Sequence, residues 1–312
     1  KEIVLQDIAD ISYIPLETND EFLFDGSVEV VTDQYVITKG HRGNDVCFFS
    51  RQGKALNRIH RVGNGPGEYE DIGSMDVNPA NGELYLKEMN RQQIHVYSLD
   101  GKFKHSFTFP EGKRMSRMCL FSPDYLIAEQ ESKVPDDQDA NFYPYLLVST
   151  RDGHLDSLDY VQKRNILVKL IVNPDRTLEP LLVRTPSHSE EGNKYGLFLR
   201  GAAGAYFFLT KQPMEVPMNS IESLDLKSEE WLYDCRTQEV CRYLLKNKDD
   251  ASKRVEGIMF FCYPEDCGLA VLKSEDLMDA YEAGQLSGEL KEIAAGLKAD
   301  DNPVLMLIHF KK

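Results

Sequence analysis

Apolar and polar residues alternate along most of the chain with the period of two that marks strands, and the alternation is punctuated by a recurring glycine turn. Phe48-Phe49-Ser50-Arg51-Gln52-Gly53-Lys54, Val96-Tyr97-Ser98-Leu99-Asp100-Gly101-Lys102 and Leu147-Val148-Ser149-Thr150-Arg151-Asp152-Gly153-His154 are three copies of one hairpin. Their glycines, Gly53, Gly101 and Gly153, lie 48 and 52 residues apart. A self-similar unit of about 40 to 50 residues, built of short strands around such turns, is the signature of a propeller blade. The 312 residues accommodate six units of about 50, so the pattern predicts an all-β fold, a single six-bladed β-propeller domain over 1–312.

The predicted blades fall near 28–60, 71–109, 115–161, 163–184, 190–246 and 255–312. Residues 1–17 read as an opening strand, with Pro15 at an edge position. The apolar run from Pro303 to Phe310 has no hairpin partner of its own. The two ends are therefore expected to pair in the last blade and close the ring, since an unpaired apolar edge invites aggregation. In the fourth and fifth blades the pattern is irregular: 166–172 and 180–184 read as strands around Asn173-Pro174-Asp175, 196–211 as a hairpin over Gly201-Ala202-Ala203-Gly204, and Trp231–Tyr233 with Val240–Leu245 as the next hairpin. Over about 274–298 the period becomes helical, with Ser274 as N-cap, Gly284 as a stop, and Leu290, Ile293, Ala294 and Leu297 on one stripe. A short helical insertion in the last blade, packed on the propeller, is expected.

Composition narrows the partners. Hydrophobic residues make up 42% of the chain, enough for a large core. With 36 basic and 51 acidic residues the formal net charge is -15. So acidic a surface repels phosphate backbones and anionic headgroups and argues against nucleic acid or a membrane face as partner. No run approaches the roughly 18 apolar residues of a transmembrane span. The sequence starts at Lys1 rather than Met, which leaves room for a leader or lipid anchor upstream.

Four stretches together resemble a known family: Ile11-Ser12-Tyr13-Ile14-Pro15-Leu16-Glu17-Thr18, Gly63-Asn64-Gly65-Pro66-Gly67-Glu68-Tyr69, His95-Val96-Tyr97-Ser98-Leu99-Asp100-Gly101-Lys102 and Asp300-Asp301-Asn302-Pro303-Val304-Leu305. In order and spacing they are similar to the exported six-bladed β-propeller proteins of Bacteroides-type bacteria. The resemblance implies an NHL-like propeller, made with a lipoprotein signal and placed in the periplasm or on the cell surface. It implies no catalytic residues.

The 63–69 loop has three glycines and Pro66, which suit a tight blade-to-blade crossover. Glu68 stands where a dinucleotide fingerprint needs glycine, and strand residues follow where a helix is required. Two readings stay open: a structural crossover, or a ligand contact through Arg61, Glu68 or Tyr69 at the mouth of the channel. Arg42, Arg61, Lys87, Arg91, Arg114 and Arg117 lie at strand starts or turns of the first three blades. If these ends share a face they form a cationic rim suited to an anionic or carboxylate-bearing ligand; otherwise they are ordinary surface charges. The candidate ligand contacts are thus Arg42, Arg61, Glu68, Tyr69, Lys87, Arg91 and Arg117.

Cys235 with Cys241, and Cys262 with Cys267, have spacings that permit two local disulfides in an oxidising compartment. A zinc knuckle suits these spacings poorly, and buried thiols are the third reading; Cys47 and Cys119 read as core. No histidine pair has metal-ligand spacing on a helix, although histidines from several blades could meet on the axis, as in propeller lyases. Glu131–Phe142 is acidic but lacks the alternating oxygen ligands of a calcium loop. Neither a Gly-x-Ser-x-Gly elbow nor a His-Glu-x-x-His motif is present. No catalytic residue, metal or cofactor is predicted. The expected function is non-catalytic binding of a glycan, peptide or protein on one face; the alternatives are a polysaccharide lyase or hydrolase acting in the axial channel, and a structural subunit of a surface complex.

Overall fold

The structure is a computed structural model describing residues 1–41, 45–109, 114–130, 145–158, 167–172, 178–184, 195–213, 229–261 and 267–311. The chain opens with β1 (Glu2–Val4), one helical turn α1 (Leu5–Ile8) and β2 (Ala9–Pro15). Three antiparallel four-stranded sheets follow in simple up-and-down order. The first holds β3 (Ser27–Val31), β4 (Tyr35–Lys39), β5 (Val46–Ser50) and β6 (Ala55–Ile59). The second holds β7 (Ile72–Asn78), β8 (Glu83–Glu88), β9 (Gln93–Ser98) and β10 (Phe103–Thr108). The third holds β11 (Met115–Ser122), β12 (Tyr125–Gln130), β13 (Tyr145–Ser149) and β14 (Leu155–Ser157).

Among the described residues the fourth unit is a two-stranded pair, β15 (Leu167–Val172) and β16 (Leu178–Arg184). The fifth is four-stranded: β17 (Tyr195–Ala203), β18 (Tyr206–Pro213), β19 (Glu229–Asp234) and β20 (Glu239–Arg242). A hairpin of β21 (Leu244–Asn247) and β22 (Asp250–Val255) comes next. The last sheet contains β23 (Met259–Phe261), β24 (Cys267–Leu272) and β25 (Val304–Phe310), with α2 (Ser274–Glu282) and α3 (Gly288–Ala294) between β24 and β25. Its strand order is β2-β25-β24-β23, so the first and last long strands pair, from Ala9 opposite Phe310 to Pro15 opposite Val304. The architecture is a β-propeller of repeated four-stranded sheets.

The packing explains the sequence pattern. Middle strands such as β5 and β25 lie between neighbouring sheets and are buried on both faces, so they read as near-continuous apolar runs. Edge strands β6 and β10 keep the polar–apolar alternation because one face meets water. First strands of successive sheets touch, β3 against β7 and β7 against β11, as do β17 and β23. Asp76 of β7 fastens two of them: its Oδ2 accepts the Leu120 N–H of β11 at 2.6 Å and its Oδ1 accepts its neighbour Val77 N–H at 2.7 Å.

Burial raises the Asp76 carboxyl to about 6, against hydrogen bonds from Leu120 and Val77 that act the other way. A raised folded-state value means that the native protein holds the proton more tightly than the unfolded chain. The Asp76 contribution is therefore largest below pH 4 and falls as pH rises toward 6, by about 3 kcal/mol in all. Urea melts at pH 4.5 and 7.5 should show the stability advantage of the native protein over Asp76→Asn shrinking by an amount of that order at the higher pH. A constant difference would mean that Asp76 does not titrate in this window.

Two segments depart from the sequence pattern. Residues 1–17 do not form one strand: β1 leaves the last sheet and pairs in parallel with β21, Glu2 opposite Leu244, while Leu5 of α1 turns into the core. Val240–Leu245 is also broken. β20 ends at Arg242 and β21 starts at Leu244, so Tyr243 stands between two sheets, its ring against Phe208. The turn expected at Asn173-Pro174-Asp175 lies outside the described residues. In the helical segment Ser274 is the first residue of α2 rather than its cap, and its Oγ donates to the Asn302 carbonyl at 2.7 Å. Gly284, at φ 68°, ends that helix, and Leu290 and Ala294 are buried against the same cluster as Leu5, Tyr13 and Met306.

A candidate ligand-binding cleft

Each described first strand of the four-stranded sheets from β3 to β17 carries a register break. Glu29 is bypassed in β3, Gly73 in β7, Ser116 and Arg117 in β11, and Arg200 in β17. Such bulges bend the strand and re-aim the extra residue. Arg117 and Arg200 are both exposed. Glu29 lies 3.9 Å from Lys39 Nζ, which donates to the Ile72 carbonyl.

The residues singled out by sequence gather about the 63–69 crossover, and most spend their polar groups there. Tyr69 is fully buried, its OH donating to the Ile59 carbonyl at 3.2 Å. Glu68 Oε2 accepts the Gly65 N–H at 2.8 Å, a hydrogen bond that shapes the loop from within. Tyr97 OH donates to the Gly67 carbonyl at 2.7 Å, and Gly67, at φ 70°, lies flat against the Phe103 ring. Lys87 is buried with its Nζ donating to the Glu88 carbonyl. Arg91 meets Asn64 and lies 3.3 Å from Glu70. Glu88 is buried: its Oε1 accepts the Glu70 N–H at 2.8 Å, and its Oε2 stands 3.7 Å from His95 Nε2. Burial lowers the pKa of His95, with Glu88 opposing. Arg61 is exposed, and Arg42 lies outside the described residues.

The thiols of Cys235 and Cys241 are free, so the bridge that their spacing permits, one of the three readings, is not formed. Cys241 sits opposite Leu232, three positions along β19 from Cys235. At about 3.3 Å per residue that offset carries the two α-carbons well beyond the separation a disulfide spans. Cys262, and with it the pairing to Cys267, lies outside the described residues. The acidic 131–142 stretch does too. Among the described residues no group of three or more His, Cys, Asp or Glu is placed to hold a metal ion, and no helix is long and apolar enough to cross a membrane.

A cleft of about 600 Å³ opens where β17–β20, the β21–β22 hairpin and β23 meet. Its floor is aromatic. Phe208 lies 4.7 Å from Phe260 and 5.8 Å from Tyr243, ring centre to ring centre. Gly201 is required beneath it, since a Cβ there would fall 2.2 Å from the Phe260 ring. Basic side chains from Lys1, Arg200, Arg242 and Arg254 and acidic ones from Glu229, Glu230 and Glu256 line the walls. Most are paired. Glu229 meets Arg242 at 3.4 Å and Lys211 at 3.6 Å, Thr210 Oγ1 donates to both oxygens of Glu230 at 3.0–3.1 Å, and Arg254 pairs with Glu256.

Arg200 and the Tyr243 hydroxyl differ: neither has a hydrogen-bond partner among the described residues. Burial raises the Tyr243 pKa, Glu230 adds to the shift and Arg200 offsets it, so the phenol is a neutral donor at physiological pH. The cleft thus presents one unspent guanidinium and one unspent phenol above an aromatic floor. Sequence reasoning placed no site here. Its residues come from seven separate strands, β17 to β23, together with Lys1, Tyr243 and the linker after β22, and none carries a local motif. The one available signal was Arg200 immediately before Gly201, a cation beside a residue that invites close approach.

A family described as a domain of unknown function (DUF4934) matches residues 1–199. No curated protein shows a significant match to the chain. Among solved structures, the chain is similar to a "Putative exported protein" from Bacteroides fragilis NCTC 9343, with a TM-score of 0.68 and 16% identity over 98% of this chain and 96% of the other. It is also similar to a member of the duf4221 family from Bacteroides vulgatus ATCC 8482, with a TM-score of 0.52 and 10% identity over 97% of each chain.

Proposed function

Since the chain belongs to the DUF4934 family, whose function is unknown, we propose from the geometry of its cleft that it is a non-catalytic binding propeller of six blades, its ring closed by the pairing of β2 with β25. It works outside the cytoplasm, in the periplasm or at the cell surface, held there by a lipid anchor upstream of Lys1. It takes a glycan, peptide or protein ligand on one face. The observation that carries this reading is the cleft itself: Arg200 and the Tyr243 hydroxyl, without hydrogen-bond partners among the described residues, line it together with Phe208 and Phe260. A few unspent polar groups over an apolar floor are the ordinary composition of a ligand site. Export is supported by the description of the B. fragilis relative as exported and by the four sequence stretches given above.

The lyase or hydrolase alternative has less behind it. The cleft carboxylates already accept hydrogen bonds or ion pairs from Thr210, Arg242, Lys211 and Trp231, and Tyr243 is shifted away from the anion that a basic tyrosine needs. Arg61 and Arg117 remain exposed candidates for an extended contact on the same protein.

The test is an immobilised glycan and peptide array, read with the native protein and with Glu256→Trp. Glu256 is exposed at the cleft wall, and an indole there obstructs the opening. One ligand class is expected to bind the native protein and to lose at least tenfold in affinity to the variant. Binding that survives Glu256→Trp unchanged would move the site elsewhere.

A further inference from the structure

We infer that the ligand of this cleft is an acidic sugar chain, whose carboxylate meets Arg200 and whose ring lies over Phe260 within reach of the Tyr243 hydroxyl. The inference rests on the reading of the cleft as a ligand site and adds the chemistry of what enters. Three observations lead to it.

The first is sign. The whole chain carries -15, yet the cleft is lined by four basic against three acidic side chains. A local reversal on so acidic a surface draws anions to this point and away from the rest of the protein. The second is availability. Arg242 and Arg254 are engaged with Glu229 and Glu256, whereas Arg200 is lifted clear by the bulge in β17 and has no partner among the described residues. Its planar fork matches a carboxylate bidentately.

The third observation is the alternation around that cation. Tyr243 offers a donor, while Glu229, Glu230 and Glu256 offer carboxylate oxygens with lone pairs beyond those already used. Donors and acceptors side by side over an aromatic ring suit the vicinal hydroxyls of a sugar, each of which gives and accepts, stacked by its apolar face. Apolar peptide side chains would instead require dry walls, which these charged residues do not provide. A peptide bearing a terminal carboxylate is the competing occupant.

The experiment is calorimetric titration with a uronic-acid trisaccharide, its carboxyl-reduced neutral counterpart and a tripeptide with a free C-terminus. The acidic sugar should bind at least tenfold more tightly than the neutral one, the scale of one charge-assisted fork. Arg200→Ala should erase that preference and Arg200→Lys should keep part of it. Because Arg200 is exposed and has no partner among the described residues, both variants should melt with the native protein. Equal affinity for acidic and neutral sugars, or an acid preference that survives Arg200→Ala, overturns the inference, as does tighter binding of the tripeptide. Failure of all three probes to bind overturns it too. Neutral-sugar or peptide binding that Glu256→Trp abolishes would leave the cleft reading standing while the acidic-sugar inference falls. Binding insensitive to Glu256→Trp would remove both.

Discussion

Asn302→Ala is expected to destabilise the protein by about 4 kcal/mol, the largest effect we anticipate from removing so small a side chain. Asn302 is buried in the turn before β25, and every polar group of its amide is used. Its Nδ2 donates to the carbonyls of Glu17 at 2.7 Å and Phe22 at 2.6 Å, and its Oδ1 accepts the Phe24 N–H at 2.8 Å. Its own N–H donates to Thr18 Oγ1. One side chain therefore fastens the whole connection from β2 to β3 onto the end of the chain. Alanine strands three main-chain groups, at about 1–3 kcal/mol each where water cannot replace the partner. For a chain of this size the loss corresponds to a fall in melting temperature on the order of 8 °C or more, readable by calorimetry. Asn302→Asp is the sharper variant. It replaces a donor by a carboxylate oxygen facing two carbonyls and should be no milder than alanine at pH 7. A shift below about 2 °C for both would show that the connection is held by other contacts.

Gly53→Ala is the second large effect. Gly53 sits at φ 81° in the turn between β5 and β6, and a Cβ on it would stand 1.9 Å from the Pro15 carbonyl oxygen of β2. Backbone cannot step aside as a flexible side chain can, so the cost exceeds the 1–2 kcal/mol of a left-handed alanine. Gly82 provides the control. It has φ 67° and nothing within 4 Å of the point where a methyl would stand, so Gly82→Ala isolates the conformational cost. We expect about 1 kcal/mol for Gly82→Ala and at least 3 kcal/mol for Gly53→Ala in urea melts. Equal effects would mean that the contact with Pro15 yields easily.

These two residues also mark what the sequence made legible. The glycine turns at 53, 101 and 153 were visible as a repeat because each meets the same physical demand: positive φ, and a neighbouring sheet too close for a Cβ. Gly101 faces Asn57 of the preceding sheet and Gly153 faces Phe107 in the same way. The pairing of β2 with β25 was foreseeable because an apolar strand without a hairpin partner must find one. Less readable was the β21–β22 hairpin. The stretch 240–245 alternates as one strand would, and the break at Tyr243 depends on Phe208, more than 30 residues earlier, which no local pattern reports.

The site was harder still. The glycine-rich 63–69 loop stands out in the sequence, yet its glycines serve a crossover whose Glu68 and Tyr69 are committed to main-chain partners. Arg200, Tyr243 and Phe260 have no mutual spacing to notice and become neighbours only through the packing of separate strands. The choice among a disulfide, a zinc site and free thiols at Cys235 and Cys241 stayed open for a related reason: spacing along the chain says nothing of register across a hairpin.

The turn glycines have a consequence for biosynthesis. Gly153 is seated on β10, Gly101 on β6 and Gly53 on β2, so each of the first three sheets is fitted to the outer strand of the one before it. For the first sheet that predecessor is completed only when β25 arrives from the C-terminus. A ribosome-bound chain can form the second sheet on the first and the third on the second, but the first waits for the last strand to be translated. The earliest segment to leave the ribosome is then among the last to be locked, and its apolar middle strands depend on helpers or on speed until synthesis ends.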